Sequence, residues 1–309
     1  MNERQRRQLC ALCGSVSWEA HMATYSTFRA GGIVEALVEV DAEDELASLL
    51  PWLERERIPW QVIGGGSNIL VATLRHPGVF IRLRGSVRDT ALVGQAGAGD
   101  VPRRVRVPAG CSLAAFVGWC SKNSLDGLTF MAGIPGSVGG AVRMNAGAFG
   151  HSIGELVQSV RCIRITGEIC EIPREKMSFA YRSTRFAGEK ENALFITGVV
   201  LNLVPGEQEQ ISRRCRDIIR QRRQKQPQGV ASAGSFFKNP AGDFAGRLIE
   251  SAGLKGLTQG RAMVSPHHAN FIVNTGGALP EDIVLLMEKV RQTVWRQSGV
   301  LLEPEVRIL

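Results

Sequence analysis

Residues 133–150 read GIPGSVGGAVRMNAGAFG, with glycine at 133, 136, 139, 140, 147 and 150 and alanine or serine at several of the rest. Such a segment cannot fill a core with side chains. It can press its backbone against a flat or extended ligand and donate amides to it. Asn145 sits between small residues, where its amide can reach a ring or a phosphate. A purely structural loop is the weaker account of so long a segment, but the segment by itself names no ligand.

A second cluster, GGGSN (64–68), interrupts the apolar run WQVIGGGSNILV (60–71). Glycines between two strands let successive backbone N–H groups converge on a phosphate, with Ser67 and Asn68 as side-chain donors. A plain tight turn accounts for these residues equally well. No G-K-[ST] follows, so this is not a Walker A loop, and the spacing is not that of the G-x-G-x-x-G fingerprint. GQAGAG (94–99) also misses that fingerprint and is read as a loop.

Other stretches carry polar groups. In FAYRSTRF (179–186), the fixed charge and planar fork of Arg182 suit a carboxylate or an enolate. Tyr181 can hold a phosphate or a sugar. An exposed arginine beside a half-buried tyrosine is the competing account. In AGSFFKNP (233–240), Ser235 stands between a glycine and two phenylalanines. It has neither a nearby His or Asp nor a G-x-S-x-G elbow, so it is not an obvious hydrolase nucleophile. It can donate a proton to a developing carbanion, or it can simply cap a helix or a turn. Lys238 and Asn239 behind it read as ligand binders. In LEPEVRIL (302–309), Glu305 lies at the end of the chain, where fraying and exposure are usual. It reaches a site only if this strand packs back into the fold; Glu303 shares its face. His267 and His268 are adjacent rather than at i, i+4, which argues against a helical metal site. His268, beside an apolar strand, fits a ligand contact or a structural role.

Bulk properties bound the function. With 309 residues, 44% hydrophobic and 21% charged, the chain has the composition of a globular protein of two or three units. Its net charge of +8 accompanies only 6% aromatics and no groove-reading motif, which argues against nucleic acid. Arg213, Arg214, Arg216, Arg220, Arg222, Arg223 and Lys225 share a segment with Ile211, Cys215, Ile218 and Ile219 at helical spacing. An amphipathic helix with a solvated basic face follows. A positive surface also draws anionic small molecules such as nucleotides. Cys10 and Cys13 form a lone C-x-x-C with no second pair to complete a zinc site. No metal is expected. No apolar run approaches the ~20 residues that span a bilayer, and the arginine-rich start is a poor signal peptide. A reduced, cytoplasmic setting is therefore expected.

The apolar pattern predicts an α+β protein of three units. Strands are expected over 33–40, on both sides of the 64–66 glycines, and over 103–110, 159–166 and 193–204. Helices are expected over 41–58, near 112–123, and over 280–298 between Pro280 and Gly299. Asp41 should cap the first of these, and Pro51 should kink or interrupt it. Residues 1–20 read as a loosely attached basic arm or helix.

In this order, YSTFRAGG (25–32), VIGGGSNILV (62–71), GLTFMAGIPGSVGGAVRMNAGAFG (127–150), FAYRSTRF, GSFFKNP, AGRLIESAGLKG (245–256), HANFIVN (268–274) and LEPEVRI (302–308) resemble the UDP-N-acetylenolpyruvoylglucosamine reductase (MurB) family. These are flavoenzymes of peptidoglycan synthesis, and the resemblance spans residues 25 to 308. It implies a two-part FAD-binding domain of the vanillyl-alcohol-oxidase (PCMH) type over 21–85 and 86–205. A C-terminal α/β substrate-binding domain would follow over 206–300, and a terminal strand, 301–309, would return to the active site. Residues 1–20 stay an N-terminal arm. No long insertion with an extra tyrosine appears near 205–230, as in the shorter class of the family.

The same resemblance implies non-covalent FAD. Gly64, Gly65, Gly66, Ser67 and Asn68 would hold its pyrophosphate. Gly133, Ile134, Pro135, Gly136, Ser137, Gly140 and Asn145 would line the flavin. NADPH would be the hydride donor, and UDP-N-acetylglucosamine enolpyruvate the substrate reduced to UDP-N-acetylmuramate. Ser235 would be the proton donor. Arg182 and Glu305 would stabilise an enolate, at about 3 kcal/mol per donor. Tyr181, Lys238, Asn239 and His268 would hold the UDP-sugar. A cytoplasmic monomer with no nucleic-acid or membrane partner is implied. Phe149 departs from a usual tyrosine, and Tyr25-Ser26 from usual threonines, without removing a catalytic side chain. Two other readings stay open. A related flavin oxidase would often tether FAD to His or Cys, and no clear tether is present. A basic nucleic-acid or nucleotide-binding protein is suggested by charge alone.

Overall fold

The computed structural model describes residues 1–94, 101–190 and 193–309. Most of GQAGAG lies outside the described residues. The chain divides into two compact units. The first comprises Met1–Trp18, Ala36–Gly65 and Gly78–Arg220; the second comprises Glu19–Glu35, Gly66–Pro77 and Gln221–Leu309.

In the first unit, helix α1 (Glu3–Leu12) opens with a capping box in which Asn2 and Gln5 satisfy each other's backbone N–H. It is not a loose arm. Leu9 and Cys13 are buried in one cluster with Leu46, Leu49, Leu50 and Leu53 of α2 (Glu43–Arg55), and Arg4 pairs with Glu56 at 2.6 Å. Asp41 does not cap α2. The N-cap is Ala42, without a side-chain hydrogen bond, and Asp41 lies 3.5 Å from Arg84 instead. Pro51 sits inside α2 without ending it. Four buried leucines, at about 1.5–3 kcal/mol each, outweigh the ~3 kcal/mol of an interior proline.

Two sheets follow. One takes Val16–His21, Ile33–Val40, Arg75–Leu83 and Trp60–Ile63 in that order, the last two parallel. The other is antiparallel, in the order Ile169–Pro173, Val157–Arg164, Leu194–Pro205, Arg103–Pro108, Ala91–Val93. Helices α3 (Leu113–Lys122) and α4 (Val138–Arg143) bury Leu113, Phe116, Val138 and Val142 in the core with Val105, Val160 and Leu201. The basic helix α5 (Gln208–Lys225) turns Ile211, Cys215, Ile218 and Ile219 to the same core. Its arginines pair at the surface, Arg214 with Asp126 and Arg220 with Asp217, each at 2.6 Å.

The second unit packs α6 (Ala245–Ser251) and α7 (Pro280–Ser298) around Phe28, Phe236 and Phe237. Pro280 starts α7, and Gly299 ends it with φ 71°. Short antiparallel strands run in the order Ala231–Ser232, Ile272–Asn274, Ala262–Val264, Thr258–Gln259. At the end of the chain, Arg307–Ile308 pairs in parallel with Ile69–Leu70, just after the GGGSN cluster. The seven cysteines are free thiols. Among the described residues there is no cluster of three or more metal-ligating side chains, and no helix long and apolar enough to cross a membrane.

Candidate active site

Two glycine clusters meet in the first unit. Gly64 and Gly65 follow the strand Trp60–Ile63, and Gly136 and Ser137 lead into α4. All four line one cleft of about 780 Å³ with Gly85, Gly110 and Ser112. The glycines are there because backbone touches backbone. A Cβ on Gly65 would lie 2.7 Å from Gly136 Cα, one on Gly110 2.6 Å from the Arg84 carbonyl carbon, and one on Gly85 2.7 Å from the Cys111 nitrogen. The turns are zipped together: Leu113 N–H donates to Gly136 O (3.0 Å), Val138 N–H to Cys111 O (2.9 Å) and Gly139 N–H to Ala109 O (2.8 Å). Ser137 caps α4 by accepting from Gly140 N–H at 3.3 Å. Gly133 and Pro135 are exposed, while Ile134 packs on the core. At the rim, Glu39 pairs with Arg82 (3.3 Å) and Arg84 (2.9 Å). The hydrogen bond that Arg84 donates to Glu39 lifts its guanidinium above its usual range.

Sequence reasoning missed Gly85, Gly110 and Ser112. Each glycine stands alone, so no cluster marks it. The available signal is a glycine directly after an apolar strand, in RLRG (82–85) and RVPAG (106–110).

Also in the first unit, Met177–Ala180 and Ser183–Phe186 form a hairpin in which Ala180 faces Ser183. Tyr181 and Arg182 are therefore its two-residue turn. Arg182 has φ 55°, a left-handed conformation that costs a non-glycine residue about 1–2 kcal/mol. Three hydrogen bonds hold it there. Asn145 Nδ2 donates to Ala180 O (3.0 Å), Thr184 Oγ1 to Val142 O (2.5 Å) and Arg143 Nη1 to Thr184 O (2.7 Å). At about 1 kcal/mol each, they exceed the strain. Asn145 also accepts from Gly154 N–H at 3.0 Å, so its amide ties the glycine-rich segment to the hairpin. Tyr181 is exposed, with the Arg182 guanidinium 5.2 Å from its ring centre. The roles of Thr184 and Arg143 were not legible from sequence, because an ordinary strand threonine carries no motif.

In the second unit, Ser235 is half-buried on a stretch held from both sides. Asn270 accepts from Phe236 N–H (2.8 Å) and Phe237 N–H (2.9 Å) and donates to Phe237 O (2.8 Å). Opposite, Glu305 N–H donates to Phe236 O (2.8 Å) and Lys238 N–H to Glu303 O (2.9 Å). Ser235 and Glu305 thus flank one fixed peptide. The two phenylalanines are its anchors, fully buried, with Phe236 edge-on to Phe28 at 6.3 Å. Gly234 is needed for its φ of 80°, since its Cβ position is open. Thr27 supports the same stretch through Ser232 O at 2.8 Å.

Asn68 donates to Glu305 O (3.1 Å) and accepts from Arg307 N–H (3.0 Å), which brings the glycine cluster's end beside Glu305. Gly66 leaves no room for a Cβ, which would fall 1.8 Å from Tyr25 O. The Lys238 ammonium is paired with Glu303, and Asn239 accepts from Ala245 N–H (3.0 Å) at the start of α6. His268 accepts at Nδ1 from Asn270 N–H (3.2 Å) and packs on Phe271 at 4.8 Å. Burial lowers its pKa, so the ring is neutral and carries its proton on Nε2. Asn270 is the functional support that the sequence reading passed over inside HANFIVN.

A groove whose glycine turns bring backbone against backbone suits an elongated ligand with a pyrophosphate and a flat ring. Residues 34–173 match the model of the FAD binding domain. The fold and cleft thus define a flavin-binding protein of the α+β class, and the glycine cradle fits FAD. Residues 226–309 match the UDP-N-acetylenolpyruvoylglucosamine reductase, C-terminal domain. The reductase of Syntrophus aciditrophicus is 39% identical over 96% of this chain and 92% of that protein. That of Clostridioides difficile is 38% identical over 93% and 91%. The crystal structure of the reductase from Thermus caldophilus matches with a TM-score of 0.75 at 32% identity, covering 95% of this chain and 98% of that one. The chain belongs to the UDP-N-acetylenolpyruvoylglucosamine reductase (MurB) family.

Proposed function

We propose that the chain performs the NADPH-dependent, FAD-mediated reduction of UDP-N-acetylglucosamine enolpyruvate to UDP-N-acetylmuramate, a step in peptidoglycan precursor synthesis. The observation that carries this reading is the 39% identity sustained over 96% of the chain. The glycine-rich cleft supports the reading as a place for the cofactor.

Bound FAD supplies the hydride, taken from NADPH. Gly64, Gly65, Gly66, Ser67 and Asn68 cradle its pyrophosphate. Gly133, Ile134, Pro135, Gly136, Ser137, Gly140 and Asn145 line the flavin, Asn145 through the loop that it holds in place. Ser235 delivers a proton to the carbon next to the carboxylate. With hydride at the other vinyl carbon, this saturates the double bond. Arg182 and Glu305 stabilise charge building on the substrate carboxyl, at about 3 kcal/mol per donor. Support comes from rigidity: Ser235 and Glu305 flank the Phe236 peptide, and Arg182 is fixed in a strained turn. Tyr181, Lys238, Asn239 and His268 hold the UDP-sugar, Lys238 by exchanging Glu303 for phosphate. Residues 206–300 form the substrate domain, and 301–309 bring Glu305 back to the site. The enzyme works as a cytoplasmic monomer, with no metal, nucleic-acid or membrane partner.

The test is NADPH oxidation by the yellow protein with and without the enolpyruvyl sugar nucleotide. Oxidation only when the sugar nucleotide is present is expected. Oxidation that ignores it overturns the reading.

A further inference from the structure

We infer that Thr184, with Arg143 and Asn145, positions Arg182 by locking the turn that carries it to the glycine-rich segment. The inference rests on the reading that Arg182 stabilises charge on the substrate. Ala180 and Ser183 are the pair that closes the turn. Asn145 Nδ2 grips the carbonyl of Ala180 at 3.0 Å, immediately before the turn. Thr184 is gripped twice just after it, its hydroxyl on Val142 O at 2.5 Å and its carbonyl by Arg143 Nη1 at 2.7 Å. The turn is therefore fixed on both sides to residues 142–145.

Two further facts make this more than ordinary packing. Arg182 has φ 55°, a conformation that relaxes unless its surroundings impose it. Thr184 is 1% exposed, and Val142 O, at the end of α4, already accepts from Asn145 N–H at 3.0 Å, so the Thr184 hydroxyl joins a carbonyl that is itself held in place. Residues 142–145 close α4, the short helix that starts just after the cleft-lining Gly136 and Ser137. The clamp thus refers the position of Arg182 to the wall that holds the cofactor. Arg182 is the catalytic residue; Thr184, Arg143 and Asn145 act through it.

The experiment uses the FAD-loaded enzyme and follows each half-reaction by stopped flow. Thr184→Val keeps the shape and removes the hydroxyl. It is expected to slow flavin reoxidation by the enolpyruvyl sugar nucleotide about tenfold. FAD content and flavin reduction by NADPH should stay within about twofold of wild type, a difference too small to signal lost stabilisation. Thr184→Ser restores the hydroxyl and should restore the rate. In an Arg182→Ala background, Thr184→Val should have no further effect, because the residue that it positions is gone. Hydrogen exchange at residues 180–184 should quicken in Thr184→Val. Loss of FAD, equal slowing of both half-reactions, or undiminished slowing in the Arg182→Ala background would each overturn the inference. If Arg182→Ala itself leaves reoxidation unchanged, the role of Arg182 falls instead.

Discussion

Replacing Gly65 with alanine adds one methyl group where two backbone walls of the cleft touch. Its Cβ would lie 2.7 Å from Gly136 Cα, 2.9 Å from the Gly136 carbonyl carbon and 3.1 Å from the Ser137 nitrogen. All three atoms are backbone, so no side chain can rotate away. To reach the ~3.5 Å separation of carbon atoms in contact, the two walls must part by about 0.8 Å. Overpacking of this kind costs about 1–3 kcal/mol. The displaced wall carries Ser137 and the start of α4, so the strain falls on both glycine segments proposed to hold the cofactor. At 1.4 kcal/mol per decade, FAD affinity should drop about 10- to 100-fold. Gly118→Ala is the control: that glycine is exposed in α3, with nothing within 4 Å of its Cβ. There alanine should stabilise by about 0.5–1 kcal/mol and leave FAD binding unchanged. Apoprotein titrated with FAD, followed by flavin fluorescence, gives the affinities, and thermal melts of the apoprotein give the stabilities. If Gly65→Ala binds FAD as tightly as wild type, the close approach of 65 to 136 has nothing to do with the cofactor, and the argument from missing Cβ atoms fails.

Ser235→Ala should leave flavin reduction by NADPH intact and slow reoxidation by the sugar nucleotide; loss of the reductive half-reaction would refute the proton-donor role. Leu9→Ala should lower stability by about 2–5 kcal/mol without changing either half-reaction, because Leu9 is completely buried beneath α2; an unchanged melt would show that α1 is indeed a loose arm. Burial lowers the pKa of His268, so below the ordinary value near 6.5 the unfolded chain takes up a proton more readily than the folded one. The stability that neutral His268 contributes is therefore present above about pH 6.5 and is lost as pH falls through the folded value. His268→Asn should flatten the melting temperature between about pH 7 and 5, and an unaltered slope would assign the titration elsewhere.

What the sequence made legible follows from how locally each signal is written. Gly64–Gly66 and Gly136–Gly140 announce themselves as clusters, and the structure adds that Gly64, Gly65, Gly136 and Ser137 line one cleft. Gly85 and Gly110 are single letters whose meaning lies in each other, 25 positions apart, so no local pattern exposes them. Asn145 was read toward a ligand because its neighbours are small. The structure adds what the sequence did not show, that its amide also bonds Ala180 O and Gly154 N–H. The N-terminal helix was misread because its arginines dominate its composition, while one buried residue, Leu9, fixes its place. Ser235 was legible only through the order of the motifs. Its support from Asn270 joins residues more than thirty positions apart, which periodicity does not record.

The net charge of +8 invited the idea that positive surface gathers an anionic ligand. The cleft argues otherwise. Its charged lining comprises Arg82 and Arg84 against Glu39, Asp41 and Asp89, and both arginines are paired with those carboxylates. Exposed ion pairs of this kind contribute little and are screened by salt, so no unbalanced positive field is left to hold a pyrophosphate. What the cleft does offer is backbone packed closely by glycines that let the 64–65, 85, 110 and 136 turns touch, and each such residue carries a peptide N–H donor. Hydrogen bonds from such groups to a charged oxygen are worth about 1.5–3 kcal/mol each, and their strength depends on direction as well as distance. Backbone geometry, rather than the paired rim charges, is therefore the feature of this cleft that a substitution tests most directly. A single added methyl group that tilts one turn should weaken the cofactor more than the loss of either rim arginine.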